Sequence, residues 1–174
     1  MKIFEGKTIL VTGATGFIGS HLQRYLGREK GLRLVLLTRK KIADDQQAGI
    51  WISSPLDQLS PTTWRKAGIN QIDFVFHLGA FIPKSGFEVN RVEEIFPANL
   101  QGTRVLLESL PSVPERFIFA STVDVYDAQD GKILNEECPL KPRTLYGASK
   151  LFCEQLIKVY ADALGFSFAL LRYG

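Results

Sequence analysis

A short apolar, β-branched run, Lys7-Thr8-Ile9-Leu10-Val11-Thr12, passes directly into Gly13-Ala14-Thr15-Gly16-Phe17-Ile18-Gly19, and Ser20-His21-Leu22-Gln23-Arg24-Tyr25-Leu26 continues with helical character. A strand that turns through glycines straight into a helix leaves few architectures open. It starts a βαβ crossover, and that context turns a glycine-rich stretch into a candidate dinucleotide-binding turn. The first glycine permits the tight turn, the second lets backbone approach a pyrophosphate, and the third lets helix pack on strand. The helix N-terminus adds unpaired N–H groups and the positive end of its dipole. The spacing is G-x-x-G-x-x-G, not the more familiar G-x-G-x-x-G.

Downstream, strand and helix patterns alternate. Strands are predicted at 7–12, 33–38, 72–78, 115–121 and 166–172, and helices at 17–28, about 89–110 and 145–164, with a poorer helix near 61–67. Pro55, Pro83, Pro111, Pro114, Pro139 and Pro142 mark the loops. Such alternation implies an α/β fold, a Rossmann-type doubly wound parallel sheet with helices on both faces. Right-handed crossovers place the ligand crevice at the carboxyl ends of the strands. Thr12/Gly13, Thr38/Arg39, Gly79/Ala80 and Ser121/Thr122 all fall at such ends. At 174 residues the chain reads as one domain, 1–174, large enough for a single core.

Charge and cysteine usage narrow the partners. A net charge of +3, spread over Lys40-Lys41, Arg65-Lys66 and Arg24/Arg28 without aromatic interleaving, does not point to nucleic acid. No apolar run reaches membrane-spanning length and the N-terminus lacks a signal-peptide core, so no membrane partner is expected. Cys138 and Cys153 have no metal-ligand spacing, which suits a reduced, cytoplasmic protein with no metal. Cys153 reads as a small buried hydrophobe.

Tyr146-Gly147-Ala148-Ser149-Lys150 puts a phenol and an ammonium one turn apart on one helix face. A free phenol, with a pKa of about 10, is a poor acid or base at neutral pH, and a neighbouring ammonium favours the phenolate. Facing a nicotinamide ring, the pair can move a proton while a hydride moves. An isolated Y-x-x-x-K reads first as two exposed residues on an amphipathic helix, since both residue types are common on helices; the remaining motifs decide otherwise.

With the glycine turn and the Tyr146/Lys150 pair, Phe74-Val75-Phe76-His77-Leu78-Gly79-Ala80, Asn99-Leu100-Gln101-Gly102-Thr103, Ser121-Thr122-Val123-Asp124-Val125-Tyr126 and Leu170-Leu171-Arg172-Tyr173 follow in order along the chain. Together they resemble the short-chain dehydrogenase/reductase superfamily, in its extended nucleotide-sugar epimerase/dehydratase branch. The resemblance implies that Tyr146 is the general acid or base. Lys150 then lowers its pKa and bonds the nicotinamide ribose, while Thr122 bonds the reacting oxygen. Ser121 is a weaker candidate than Thr122, and Asn99 is the residue that holds the lysine. The cofactor-binding set it implies is Gly13, Thr15, Gly16, Phe17, Ile18 and Gly19 in the turn, with Thr38, Arg39, Leu56, Gly79, Ala80, Asn99, Lys150 and Tyr173 beyond it. His21 and His77 are expected to be structural.

Departures from the family pattern bear on cofactor and reaction. Thr38 stands where NAD-specific members carry an acid, and Arg39 can fork to a 2′-phosphate with Lys40 or Lys41 adding charge, unless this is a solvated basic loop. NADP is therefore the first choice and NAD the alternative. Pro55 in Ser54-Pro55-Leu56-Asp57 replaces the acid that often reads adenine. Val123-Asp124 replaces the Asp-Glu pair of sugar-nucleotide dehydratases, which leaves 4-epimerase or keto-sugar reductase chemistry on a nucleotide-linked sugar, and NADP use leans to the reductase. The resemblance also implies a homodimer and a C-terminal substrate-binding part after Arg172-Tyr173-Gly174. The chain is thus expected to be the cofactor-binding portion, with little turnover alone. A non-catalytic NAD(P)-binding sensor or scaffold is the alternative from another class, and the presence of Thr122, Tyr146 and Lys150 together favours the enzyme.

Overall fold

The computed structural model describes residues 2–40, 49–83, 91–127 and 133–174. Six strands, β1 (Thr8–Thr12), β2 (Arg33–Thr38), β3 (Ile50–Ser53), β4 (Phe74–His77), β5 (Arg116–Thr122) and β6 (Ser167–Tyr173), form one sheet in the order β3-β2-β1-β4-β5-β6. Every pairing is parallel. The strand order reverses at β1, where Thr12 lies beside Leu37 of β2 on one side and His77 of β4 on the other. A crevice opens at the carboxyl ends of the strands where their order reverses.

The helices are α1 (Phe17–Leu26), α2 (Pro61–Lys66), α3 (Val92–Ile95), α4 (Gly102–Ser109) and α5 (Leu145–Leu164). Strands buried on both faces need apolar residues at successive positions, and β1 is buried along its whole length. One face of the sheet, with Leu10, Val35, Val75, Phe117 and Phe119, packs against Trp64, Leu106, Cys153 and Ile157 from α2, α4 and α5. On the other face Ile9, Val11, Leu36 and Phe74 pack against Leu26 of α1 and against Phe4, whose ring meets that of Phe74 edge-on at 5.1 Å. The doubly wound architecture is therefore as the alternation implies. No helix among the described residues is long and apolar enough to cross a membrane.

Two differences from the sequence pattern have local causes. β3 is an additional strand, only Ile50-Trp51-Ile52-Ser53, too short for alternation to reveal. The helix expected over 89–110 is instead α3, a π-helical stretch over Phe96–Gln101, and α4; residues 89 and 90 lie outside the described residues. Pro97 supplies no N–H to a regular helix, and wider i→i+5 turns appear where such a bond is missing. The helix of 145–164 has the expected bounds, started by the Thr144 hydroxyl accepting from Gly147 N–H at 2.9 Å and ended at left-handed Gly165.

His77, at the end of β4, is buried and neutral: burial, and then the Lys150 charge, push its pKa from 6.5 down to about 3. The unfolded chain binds a proton at this ring below about pH 6.5 that the folded chain refuses until about pH 3, so folding stability drops as pH falls across that window. The ring's contribution declines by up to about 1.4 kcal/mol per pH unit. Thermal melts of the protein and of His77→Gln should show the stability advantage of the histidine shrinking between pH 7 and pH 4. A difference independent of pH would mean that the ring is not held neutral.

Candidate functional site

The glycine turn after β1 is shaped by backbone meeting backbone. Gly13 has φ +65°, and a Cβ there would lie 2.8 Å from the Gly79 backbone at the end of β4; a Cβ on Gly19 would lie 2.2 Å from Gly13 O. Both positions therefore exclude any side chain. No side chain caps α1 at Gly16, so its first-turn N–H groups point free at the turn. Above them a cleft of about 900 Å³ runs between the glycine turn, the end of β2, the 3₁₀ turn Leu56–Gln58, the segment after β4 and the α3 region. An uncapped helix N-terminus beside side-chain-free backbone is the geometry that accepts a dinucleotide's phosphates.

Gly13, Thr15, Gly16, Phe17, Ile18, Gly19, Thr38, Arg39, Leu56, Gly79 and Ala80 all line this cleft. Thr38 is buried, with its hydroxyl 2.9 Å from that of Thr15 and accepting from Lys40 N–H at 3.2 Å. Arg39 and Lys40 are exposed at the rim, and Lys41 lies outside the described residues. Asp57 joins the lining two positions after Pro55, which restores a carboxylate to that wall. Sequence reasoning missed Phe81 and the Glu93, Glu94, Pro97 and Ala98 wall. Their i, i+4 spacing on one helix face was the available signal.

Thr122, Tyr146, Lys150 and Tyr173 lie outside the cleft lining, at the ends of β5 and β6 and the start of α5. Thr122 pairs with Tyr173 in the β5–β6 register, and its hydroxyl accepts from Asp124 N–H at 3.2 Å to cap the turn that follows. The first turn of α5 presses on that turn: a Cβ on Gly147 would lie 2.3 Å from Asp124 O. Gly147 is thus what lets Tyr146 sit beside the end of β5, a role its place in the motif did not reveal. Asn99, on the π-helical stretch, accepts from Phe81 N–H at 2.7 Å and donates to Phe81 O and to Ser149 Oγ, each at 3.1 Å. It therefore reaches α5 one residue before Lys150, rather than through the lysine itself.

The electrostatics reverse one expectation. Lys150 is buried, its ammonium 3.9 Å from the centroid of the Phe119 ring, and desolvation lowers its pKa to about 8 against weaker raising by Cys153 and Glu154. Tyr146 is not made more acidic: burial first, then the Asp124 carboxylate, push its pKa up to about 12. Taking the phenol out of water disfavours the phenolate, and a carboxylate disfavours it further. Cys153 is buried with its thiol raised by burial, in keeping with a packing role. His21 is exposed, in the second turn of α1.

Beneath Tyr146 and Lys150 lies a buried ion pair. Glu154, fully buried one turn beyond Lys150, receives Arg172 Nε at 3.0 Å and Nη2 at 2.7 Å, and also the Ser121 hydroxyl. Arg172 donates in addition to the Tyr126 hydroxyl at 2.6 Å and lies over that ring. Ser121 is accordingly a partner of the ion pair and not of the reacting oxygen. The Glu154 carboxylate on α5 thus ties Ser121 of β5 to Arg172 of β6, and Arg172 extends the connection to Tyr126.

The sequence pattern described as the NAD dependent epimerase/dehydratase family matches residues 9–174. An uncharacterized UDP-glucose epimerase, YtcB, of Bacillus subtilis (strain 168) is 30% identical over 181 residues, covering 95% of this chain and 55% of that protein. A UDP-glucose 4-epimerase of Streptomyces lividans is 30% identical over 162 residues, covering 90% of this chain and 48% of that protein. Among solved structures, UDP-glucuronic acid 4-epimerase from Bacillus cereus, in complex with UDP-glucuronic acid and NAD, superposes with a TM-score of 0.81 at 25% identity, covering 95% of this chain and 56% of that one. The chain spans about half the length of the curated relatives it matches.

Removing one partner of a buried ion pair leaves the other charge uncompensated and costs about 3–5 kcal/mol. Glu154→Gln should lower stability by that order in a urea titration. A loss under about 1 kcal/mol would mean that the fork around Arg172 holds nothing together.

Proposed function

Because the chain belongs to the NAD dependent epimerase/dehydratase family, we propose that its cleft binds a nicotinamide dinucleotide and that, in a protein of its relatives' length, it acts on a nucleotide-linked sugar by hydride transfer. One observation carries this reading. A glycine turn that admits only backbone stands at the end of β1, and a buried Lys150, one helical turn from Tyr146, stands near the end of β5, so both lie toward the carboxyl ends of a single parallel sheet.

When bound, the nicotinamide takes and returns a hydride. The chain supplies the rest. The free N–H groups of α1 and the bare Gly13–Gly79 contact receive the pyrophosphate. Tyr146, held as a neutral phenol, donates its proton to the oxygen of the carbon that receives the hydride, and takes a proton back from that hydroxyl in the reverse sense. Thr122 offers a hydroxyl to the same oxygen, and Lys150 holds positive charge and bonds the ribose.

The relatives' names, UDP-glucose 4-epimerase and UDP-glucuronic acid 4-epimerase, support 4-epimerisation of a uridine-diphosphate sugar. Keto-sugar reduction is the second reading, and it rests on the cofactor. The solved neighbour holds NAD, which supports the dinucleotide class. The choice of NADP rests on this chain's own rim, where Thr38 replaces the acid and exposed Arg39 can receive a 2′-phosphate. A homodimer belongs to this reading too.

Titration with NADP and NAD, followed by the melting temperature, tests the cleft directly: binding should raise it, and no shift with either would remove the dinucleotide reading. Arg39→Asp should weaken NADP by roughly 1.5–3 kcal/mol, the scale of a hydrogen bond to a charged group, and improve NAD in comparison. Unchanged preference would make Arg39 a surface residue. In the protein of full length, Tyr146→Phe should lower kcat by about 10²–10⁴-fold with cofactor affinity kept. A near-normal kcat would take Tyr146 out of the mechanism and favour a non-catalytic binding domain.

A further inference from the structure

His77 is 1% exposed and stands between two buried threonines. Its Nδ1 is 2.8 Å from Thr12 Oγ1, and its Nε2 is 2.9 Å from Thr103 Oγ1. The outer bonds of those threonines give the protons a direction. Thr103 aims its hydroxyl at Asn99 O at 2.6 Å, a shorter contact than the 3.4 Å from the Cys153 thiol to the same carbonyl, which leaves the Thr103 oxygen to accept from the ring and assigns the hydrogen to Nε2. Nδ1 is then the acceptor, and Thr12 gives it the proton of a hydroxyl that itself accepts Gly79 N–H at 2.9 Å. Five groups run head to tail: Gly79 N–H, Thr12 O–H, the imidazole, Thr103 O–H and Asn99 C=O. Bonds aligned in one direction in a dry interior strengthen one another.

A satisfied core histidine would need no more than two partners. Here the partners lead out of the core at both ends. Gly79 is the backbone against which Gly13 closes at the floor of the cleft. Asn99 holds Phe81 of the cleft wall and Ser149 of α5, next to Lys150. Phe119 completes the arrangement, since its ring lies 5.4 Å from that of His77 and under the Lys150 ammonium.

We propose that His77 is a positioning residue: as the neutral Nε2–H tautomer it joins the cleft floor at Gly79 to Asn99 beside the Tyr146/Lys150 helix through one unbroken run of hydrogen bonds. A protonated ring would put two donors on Thr12, from Nδ1 and Gly79, and strand the proton of that hydroxyl. The run therefore works only with a neutral imidazole, and burial first, then the Lys150 charge, disfavours protonation of the ring. The consequence for cofactor binding rests on the dinucleotide reading of the cleft; the hydrogen-bond run does not.

Ring nitrogen–proton NMR correlations on the ¹⁵N-labelled protein should give the Nε2–H pattern for His77 from pH 5 to pH 8. An Nδ1–H or imidazolium pattern overturns the proposal without any substitution. Amide hydrogen exchange then separates positioning from general stability, with Val35 in the sheet centre as the reference. His77→Gln keeps a donor for Thr103 and loses the acceptor for Thr12, so Gly79 should exchange about tenfold faster relative to Val35, while Phe81 stays near its wild-type rate. His77→Phe loses both bonds, and both amides should speed up relative to Val35. If Gly79 and Phe81 simply track Val35 in either variant, His77 is a packing residue. His77→Gln should also bind NAD or NADP about three- to tenfold more weakly. Equal affinity in a variant whose Gly79 amide has loosened overturns the link to the cofactor. If the wild-type protein binds neither dinucleotide, the reading of the cleft falls and the exchange result stands.

Discussion

The carboxyl ends of β1 and β4 meet backbone to backbone at Gly13 and Gly79, and the cleft exists because nothing intervenes there. A methyl group at Gly13 would lie 2.8 Å from Gly79 backbone, and Gly13 holds a positive φ that a side chain would resist. The contact sits at the reversal of strand order, where the neighbours of β1 diverge to opposite sides. Helix α1, its free N–H groups, and the wall after β4 all take their places from it. A parallel sheet supplies a crevice at such a point by topology alone; the two glycines decide that backbone dipoles, not side chains, face what enters.

A second assembly governs the ends of β5 and β6, beyond the cleft lining. Glu154 is out of water entirely, and it tolerates that position because Arg172 and Ser121 satisfy it. In doing so it fastens the end of β5, the middle of α5 and β6 together, with Thr122, Lys150 and Tyr173 carried on those elements. The same burial that makes this clamp firm disfavours charge nearby. Lys150 falls to about 8 and Tyr146 rises to about 12, so burial disfavours the charged form of each. The phenol therefore stays protonated at neutral pH and is a weaker acid than in water.

Much of this was legible along the chain. The glycine turn, the parallel doubly wound sheet and the bounds of α5 follow from local rules, periodicity, cap residues and glycines at strand ends, while the expected part of the cleft lining came from the family resemblance. β3 escaped because four residues carry too little pattern, and the broken helix after it because Pro97 acts on hydrogen bonds several residues away. Asn99 stands out in its motif along the chain, but its partners Phe81 and Ser149 stand 18 and 50 residues away. No spacing rule connects them.

The sequence by itself determined which groups are present and on which elements: a backbone-only turn at Gly13, a basic rim at Arg39, and a phenol and an ammonium one turn apart. These depend on interactions within a few residues, which a linear pattern records. Only the tertiary structure decided what those groups are worth. The rise of the Tyr146 pKa, the ion pair of Glu154 with Arg172 and the tautomer of His77 come from burial and from partners brought close by the sheet. Charge and proton position depend on the solvent excluded and the groups opposite, and those are properties of the packed interior rather than of any segment of the chain.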